Sequence, residues 1–190
     1  MIDCGIPFAK MKEDLYECDY LFLTHRHTDH FKPSTYKMIR KFFPNIIVCG
    51  GPDMFRLANM DSDKDIVTVA GDFINLEHFT NVTVFDAVHD VPTQGFVFHF
   101  DDGTYNIIYC TDTSTLENAP DMKYNEFFIE ANYDKKKLDA IANSKHGIKY
   151  DFVGGASRHL SKQDSKKFYY LHRENKDCPY HPLHQSSRFY

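Results

Sequence analysis

The stretch THRHTDH, residues 24–30, contains three histidines and one aspartate, and it begins at the last residue of the apolar run YLFLT (20–24). Neutral imidazole and carboxylate groups are the natural ligands of zinc and similar divalent cations. A charged, histidine-dense loop directly after a buried strand has no packing rationale. We therefore predict a metal site at the end of a strand, rather than a polar loop whose histidines follow the strand by chance.

The spacing within this stretch suggests how its side chains share the ions. In a loop that leaves a strand, His25 and His27 can project together onto one ion. Asp29 and His30 lie further round the same turn and can face a second ion. Four ligands are too few for two ions, so the hypothesis requires partners from distant parts of the chain. Three candidates stand in suitable stretches: His89 after VTVFDAV, Asp112 after YNIIYC and His159 in GGASRHLS. Asp112 suits the position between two ions, because the two oxygens of a carboxylate can contact both.

The rest of the chain alternates between strand-like and helix-like patterns. Short apolar runs predict buried strands at YLFLT (20–24), NIIVCGG (45–51), DIVTVA (65–70), NVTVFDAV (81–88), GFVFHF (95–100), YNIIYC (105–110) and EFFIEA (126–131). Asp101-Asp102-Gly103 predicts a hairpin turn between two of these strands. Helices are predicted to begin at Pro33, Pro52, Asp134 and the capping box Ser161-Lys162-Gln163-Asp164. Strands broken by helices indicate an α/β sandwich with helices outside.

Length and composition fit one soluble domain. With 190 residues, the chain is long enough for a sizeable core, and we predict a single domain over 1–190. The start, MIDCG, has no signal-peptide pattern, and no apolar run approaches the length that spans a bilayer. We therefore expect a cytoplasmic protein without a membrane partner. Five widely spaced cysteines without a CxxC pair predict reduced, mostly buried thiols.

The net charge of -5 is unevenly distributed along the chain. Residues 134–177 contain eleven Lys and Arg against six Asp and Glu, a balance of +5, which leaves -10 for the remainder. The last third of the chain could therefore present a basic face to a polyanion. An ordinary solvated helix surface explains the same charges, and the sequence leaves both interpretations open.

His25-Arg26-His27-Thr28-Asp29-His30 matches the HxHxDH motif, and the chain resembles the metallo-β-lactamase superfamily. The later His, Asp and His also follow in that family's order, and the resemblance covers nearly the whole chain. It implies an αββα sandwich with metals at the edge where the two sheets meet. It also implies two groups of ligands on either side of Asp112 and a water or hydroxide. One ion would be held by His25, His27 and His89, and the other by Asp29, His30 and His159.

Three further stretches are similar to one branch of this superfamily. IDCG (2–5), FIEANYD (128–134) and SRHLS (157–161) resemble the YycJ/WalJ-like exonucleases, near the RNase Z branch, and the ending PLHQSSRFY resembles short phage-encoded relatives. Family members usually have a β-hairpin before the IDCG strand, and this chain begins inside that strand. We expect a shortened gene, a truncated start, or a second copy or partner chain that completes the sheet edge.

The predicted activity is hydrolysis with two divalent ions, Zn or Mn. Such ions lower the pKa of a bridging water towards roughly 7 and stabilise the charge on a phosphoryl group. We expect a phosphodiesterase or nuclease that acts on DNA or RNA through this bridging hydroxide. Asp29, besides binding metal, can relay a proton, and His159 or a metal-bound water can protonate the leaving oxygen.

Other charged residues suggest supporting roles. Arg158 is a candidate phosphate clamp, because guanidinium is permanently charged and forked, although a surface arginine is an equal alternative. Glu130 and Asp3 are candidates to orient metal-bound imidazoles, or each caps a loop. Arg26 is assigned a structural role. Lys162, Lys166 and Lys167 could guide a polyanion or only solvate a helix.

Two alternative functions remain open at this point. The same metal core supports a small-molecule hydrolase of a cyclic nucleotide, lactone or thioester. A non-catalytic metal-binding accessory subunit is the other alternative. A further zinc site in the tail is also conceivable, but its spacing is unfamiliar, and an ordered tail that packs its aromatic side chains is preferred. That site would use His172, Cys178, His181 and His184.

Overall fold

The computed structural model describes residues 1–61, 63–142, 155–156, 158–187 and 189–190. These residues form two compact units. We call them unit 1 (Met1–Ala70 and Val91–Gln94) and unit 2 (Gly71–Asp90 and Gly95–Tyr190). Parts of three predictions lie outside the described residues, namely residues 143–154 of the basic segment, Ser157 of the SRHLS stretch and Arg188 of the ending PLHQSSRFY.

Unit 1 is built on a sheet of three parallel strands. Its order is β1 (Tyr20–Phe22), β2 (Ile47–Gly50) and β3 (Ile66–Val67). The helices of this unit are α1 (Phe8–Met11), α2 (Pro33–Phe42) and α3 (Pro52–Ala58), with a 3-10 helix over Asp14–Glu17. Both α2 and α3 begin at proline, as predicted, because its fixed φ and missing N–H suit the first helical position. The core includes the buried side chains of Leu21, Leu23, Ile39, Val48 and Met54.

Unit 2 contains a sheet of six strands. Neighbouring strands in the sheet follow the order β4 (Phe73–Ile74), β5 (Asn81–Ala87), β6 (Thr93–Phe100), β7 (Tyr105–Cys110), β8 (Glu126–Glu130) and β9 (Tyr180–Leu183). The first two residues of β6 belong to the segment Val91–Gln94 of unit 1. The β4–β5 and β6–β7 pairs are antiparallel, whereas β7, β8 and β9 are parallel. Consequently the carboxyl ends of three adjacent strands point to the same edge of this sheet.

Among its described residues, unit 2 has the helices α4 (Lys135–Ala142) and α5 (Lys162–His172), with a 3-10 helix over Asp101–Gly103. The predicted capping box is confirmed, because the Ser161 side chain accepts a hydrogen bond from the Asp164 N–H at 3.0 Å. Helix α5 contributes Phe168 and Tyr169 to an aromatic core, where the Phe127 ring meets the Tyr169 ring edge-on. This packing holds the second half of α5 against the start of β8.

Most of the predicted helices and strands are confirmed, and the structure differs from the prediction only in short elements. The structure adds α1, β4 and β9, which the apolar patterns did not indicate, and it reduces the predicted strand at 65–70 to two residues. All five cysteines are free thiols, and four are buried. Among the residues that the structure describes, no helix has the combination of length and apolar character needed to cross a bilayer.

Candidate metal-binding groups

The first group of predicted ligands lies in unit 1, in the loop after β1. His25 Nε2 is 3.0 Å from His27 Nδ1, and the centroids of the His25 and His30 rings are 4.3 Å apart. His30 Nε2 lies 3.8 Å from Asp29 Oδ2. The structure therefore brings the four side chains of the HRHTDH stretch together around a small space, as their spacing suggested.

The hydrogen bonds of this loop indicate which imidazole nitrogens carry lone pairs. The Thr24 hydroxyl donates to Asp3 Oδ2 at 2.8 Å, and its oxygen lies 3.0 Å from His25 Nδ1. Because the hydroxyl proton is directed to Asp3, His25 Nδ1–H is the donor to Thr24. The lone pair of His25 is then on Nε2, which is the nitrogen that faces His27 and the form that binds metals.

The separation of these nitrogens fits a bound cation. Two imidazole nitrogens that bind one tetrahedral zinc ion at about 2.05 Å are about 3.3 Å apart. The 3.0 Å between His25 Nε2 and His27 Nδ1 is close to that value, so a small shift of the rings would admit an ion. The donor set of this loop, three imidazoles and one carboxylate, also fits zinc or manganese chemistry.

The IDCG stretch (2–5) packs against this loop and forms hydrogen bonds with it. Asp3 Oδ2 is 2.7 Å from His30 Nδ1, and Asp3 Oδ1 accepts the Thr24 N–H at 2.8 Å. One carboxylate therefore contacts both the candidate ligand His30 and Thr24, the residue before His25. Burial raises the pKa of Asp3, and the hydrogen bonds with His30 and Thr24 oppose that rise. At Gly5, a Cβ would lie 1.7 Å from the carbonyl oxygen of Asp29, so only glycine permits this approach.

The second group lies in unit 2, at the carboxyl ends of three parallel strands. Asp112 follows β7, Glu130 is the last residue of β8 and His184 directly follows β9. The strand register pairs Cys110 with Ile129 and Glu130 with Leu183, which aligns these ends. Polar side chains that follow adjacent parallel strands meet at one edge, where α/β sheets commonly bind ligands.

Four side chains at this edge could hold a cation. Asp112, Glu130, His159 and His184 each offer a ligand atom, and these atoms lie within 4.8 Å of one another. His184 Nδ1 is 2.7 Å from Asp112 Oδ1 and 2.9 Å from Glu130 Oε1. Hydrogen bonds from His184 Nδ1–H to the carboxylates of Asp112 and Glu130 raise the pKa of His184 to about 10. Two buried carboxylates so close together require a positive neighbour, which His184 or a metal ion provides.

Glu130 is the most heavily hydrogen-bonded residue of this group, and its side chain is completely buried. Its Oε2 accepts the backbone N–H groups of Thr113 at 2.6 Å and Leu160 at 3.3 Å. Its Oε1 is 2.8 Å from His159 Nδ1 as well as 2.9 Å from His184 Nδ1. Such contacts would orient both imidazoles with Nε2 available as the metal-binding or proton-donating nitrogen, the role that the sequence analysis considered for Glu130.

His184 is the candidate that sequence reasoning missed, because it assigned this residue to the tail. Its backbone has a φ of 51°, in the left-handed region, and Asp112 (φ 52°) and Asp3 (φ 59°) share this feature. Non-glycine residues in this conformation cluster at functional sites. His184 follows the end of a strand, as Asp112 does, and this position was the available signal. The strand in question, YHPL, contains a proline and was therefore not recognised as a strand.

His89 and Arg158 lie near the second group. His89 Nε2 is 3.9 Å from Asp112 Oδ2 and 3.1 Å from Asp90 Oδ1, and the centroids of the His89 and His159 rings are 5.5 Å apart. Arg158, the predicted phosphate clamp, forms an ion pair with Asp90 at 3.2 Å. More than half of its side chain, 58%, remains exposed, so the guanidinium is accessible to solvent.

The four side chains of the suggested tail zinc site do not come together in the described part of the chain. Cys178 is buried in the aromatic core, His181 pairs with Glu126 at 2.9 Å, and the His172 ring stacks on Phe168. Of these four, the metal-binding groups found among the described residues include His184 alone. These contacts favour the alternative of an ordered tail.

The predicted guiding lysines of α5 are distributed around the helix. Lys162 lies over the Tyr190 ring at 4.8 Å, whereas Lys166 and Lys167 are exposed. Acidic side chains accompany them, and Asp164 pairs with Lys135 at 2.7 Å. Because acidic side chains stand among these lysines, the guidance of a polyanion by them stays a prediction.

The chain was compared with known proteins at three levels. No protein-family model matches it, and no curated protein matches it either. Solved structures do match over almost its full length. The metallo-β-lactamase fold protein YhfI from Bacillus subtilis superposes with a TM-score of 0.69 at 14% identity, covering 97% of this chain and 73% of that chain.

Two further structures share the fold. The short form of human tRNase Z has a TM-score of 0.62 at 18% identity, covering 98% of this chain and 81% of that chain. A diphosphatase of the PhnP family has a TM-score of 0.59 at 18% identity, covering 99% and 69%. The predicted α/β fold, the αββα metallo-β-lactamase sandwich, is therefore confirmed.

Proposed function

We propose that this protein is a metal-dependent hydrolase that cleaves phosphodiester bonds in DNA or RNA. The observation that carries the proposal is the orientation of its histidines. His25, His30, His159 and His184 each direct Nδ1 to a hydroxyl or carboxylate of the protein, which makes Nε2 the nitrogen that a metal ion could bind. Protein sites arrange imidazoles in this manner when they bind metals.

The proposed ligand set is the one that the family resemblance implies. One ion would be held by His25, His27 and His89, and the other by Asp29, His30 and His159, with Asp112 contributing to both. We add His184 to this set, because its Nδ1 contacts Asp112 directly. The polar contact of His159 among the described residues is with Glu130. With His184 as a ligand of the second ion, His159 need not bind that ion, and its imidazolium form is then available for proton transfer.

Two divalent ions held there would supply Lewis acidity to a phosphoryl group and activate water near neutral pH. The chain's own residues complete the chemistry. Glu130 accepts the Nδ1–H of His159 and fixes its ring, so that the Nε2–H of the imidazolium form can donate a proton to the leaving oxygen. Asp29, whose side chain is 71% exposed, can pass a proton to solvent.

Arg158 is proposed to bind the substrate phosphate. Its partner Asp90 is 40% exposed, and an exposed ion pair of this kind contributes little free energy. A phosphate can therefore replace Asp90 at small cost and accept two parallel hydrogen bonds from the guanidinium. The names of two structural neighbours, tRNase Z and diphosphatase, agree with chemistry at phosphorus, which favours phosphodiesters over lactones or thioesters.

The test measures hydrolysis of end-labelled single- and double-stranded DNA and RNA by purified protein loaded with zinc or manganese. We expect cleavage with metal, none after chelation, and loss of cleavage in His27→Ala, because this substitution removes a proposed ligand. His181→Ala is the matched control, since His181 is half-exposed and pairs with Glu126. Two bound ions without cleavage of any nucleic acid would redirect the assignment to a cyclic nucleotide or another small ester. A protein that binds no ion would support a non-catalytic role.

A second prediction concerns His184. His184→Ala removes the imidazole that contacts both Asp112 and Glu130, so we expect about a 10- to 100-fold loss of affinity for one of the two ions. Metal content by mass spectrometry and competition with a chromophoric chelator provide the measurement. His181→Ala, three residues earlier, should retain both ions. Unchanged metal affinity in His184→Ala would exclude His184 from the ligand set.

A further inference from the structure

An open pocket of about 490 Å3 lies in unit 1 beside the THRHTDH loop. Its lining combines two arginines, one carboxylate and two apolar side chains: Arg26, Asp53, Arg56, Leu57 and Pro92. Arg26 stands in the chain between the proposed ligands His25 and His27, and Arg56 belongs to α3. The pocket is therefore adjacent to the metal-binding loop, but none of the proposed ligands lines it.

The charges of this pocket suit an anion. Arg26 Nε lies 3.6 Å from Asp53 Oδ2, an atom that is buried and accepts no hydrogen bond within the described part of the chain. This ion pair holds one edge of the Arg26 guanidinium, and 51% of the side chain is exposed. Arg56 is exposed and forms no ion pair with any described residue. The second arginine thus gives the pocket a net positive charge.

The shape of the lining points to a nucleotide rather than a bare ion. Guanidinium groups present planar pairs of donors that match the oxygens of a phosphate. Next to them, Leu57 is 53% exposed, and Pro92 is also exposed, so an apolar wall adjoins the two cations. A sugar or base can pack on this wall while its phosphate faces the arginines.

We propose that this pocket binds the phosphate adjacent to the scissile one in a nucleic-acid strand, with Arg26 and Arg56 as its ligands. The inference rests on the proposed function and extends it from one phosphate to a strand. Arg26 belongs to the same loop as His25 and His27, so the proposal places the neighbouring phosphate of a bound strand at this pocket. The structural role predicted for Arg26 is thereby replaced by a role in substrate binding.

The test separates strand binding from chemistry. Binding of a fluorescein-labelled single-stranded octanucleotide to the full chain in EDTA is followed by anisotropy at several salt concentrations. Arg56→Ala and Arg26→Gln should each weaken binding by about tenfold, and each should lower the slope of log Kd against log salt by about one. Lys37→Ala, which removes an exposed cation of α2 outside this pocket, should change binding less than about twofold.

Kinetics of the metal-loaded protein give the second measurement. The arginine variants should raise KM for the octanucleotide and leave kcat/KM for bis(p-nitrophenyl) phosphate, which has a single phosphate, unchanged. Equal losses on both substrates, in Arg56→Ala as well as Arg26→Gln, would overturn the proposal in favour of a structural effect on the loop. Unchanged octanucleotide binding in both variants would reduce the pair of Arg26 and Asp53 to an ordinary surface ion pair.

The remaining outcomes distinguish this inference from the proposed function. If the wild-type protein cleaves no phosphodiester but its octanucleotide binding depends on both arginines, the proposed function fails and the pocket stands. If it cleaves nucleic acid while the arginine variants behave as wild type, the function stands and the pocket fails. Competition by ADP at the same affinity as the octanucleotide would assign the pocket to free nucleotides and overturn the strand model.

Discussion

Asp112→Asn is expected to lower the rate of phosphodiester hydrolysis by at least about a thousandfold. Asp112 is the carboxylate proposed to lie between the two ions, and an amide has one neutral oxygen where the carboxylate has two charged ones. The substitution nearly preserves size, and the amide oxygen can still accept the Thr111 hydroxyl, which lies 3.1 Å from Asp112 Oδ1. We therefore expect loss of one or both ions without unfolding.

Metal content, thermal unfolding and hydrolysis should be measured on the same preparation. Asp86→Asn is the matched control, because Asp86 is an exposed residue of β5 in unit 2 and is absent from the metal-binding groups found among the described residues. It should keep wild-type activity and metal content. Full metal content with wild-type hydrolysis in Asp112→Asn would remove Asp112 from the proposed centre.

Glu130→Ala is expected to reduce the free energy of unfolding by about 3–5 kcal/mol. The completely buried Glu130 carboxylate accepts hydrogen bonds from two backbone N–H groups and contacts two imidazoles. Its removal leaves the N–H groups of Thr113 and Leu160 and the ring N–H of His159 without this acceptor, and each such loss costs desolvation free energy. Glu130→Gln retains an acceptor and should lose less stability. Urea denaturation followed by circular dichroism measures both changes.

The matched control is at the other end of the same strand. Glu126 begins β8, and its carboxylate contacts the half-exposed His181 at 2.9 Å, a pair that water also solvates. Glu126→Ala should therefore cost about 1 kcal/mol or less. Equal losses for Glu126→Ala and Glu130→Ala would show that the hydrogen bonds at the strand end do not stabilise the fold.

Local patterns were enough to find the first candidate group of ligands. His25, His27, Asp29 and His30 are separated by one to five residues, so a single turn brings them together irrespective of the rest of the fold. The same holds for the proline starts of α2 and α3 and for the Ser161 cap, since each depends on neighbours within one helical turn. Short-range sterics and hydrogen bonds determine these features.

Distant pairings were harder to foresee. Arg158 was predicted to meet phosphate, and the structure pairs it with Asp90, which lies 68 residues earlier in the chain. Lys162, expected to guide a polyanion, lies over the Tyr190 ring. A charge pattern gives the sign of a segment but not the partner of each side chain, because the partner depends on how strands and loops pack.

The sequence by itself determined that a histidine-rich loop would follow a strand, and it indicated the fold that the structure confirms. It also singled out Asp112 and Glu130, because each ends an apolar run. Only the tertiary structure decided that His184 joins them. Strand β9 reaches this edge by parallel pairing with β8 across some 50 residues, and Leu183 lies opposite Glu130. Strand order and register arise from packing over the whole sheet, and no local pattern in YHPL encodes them.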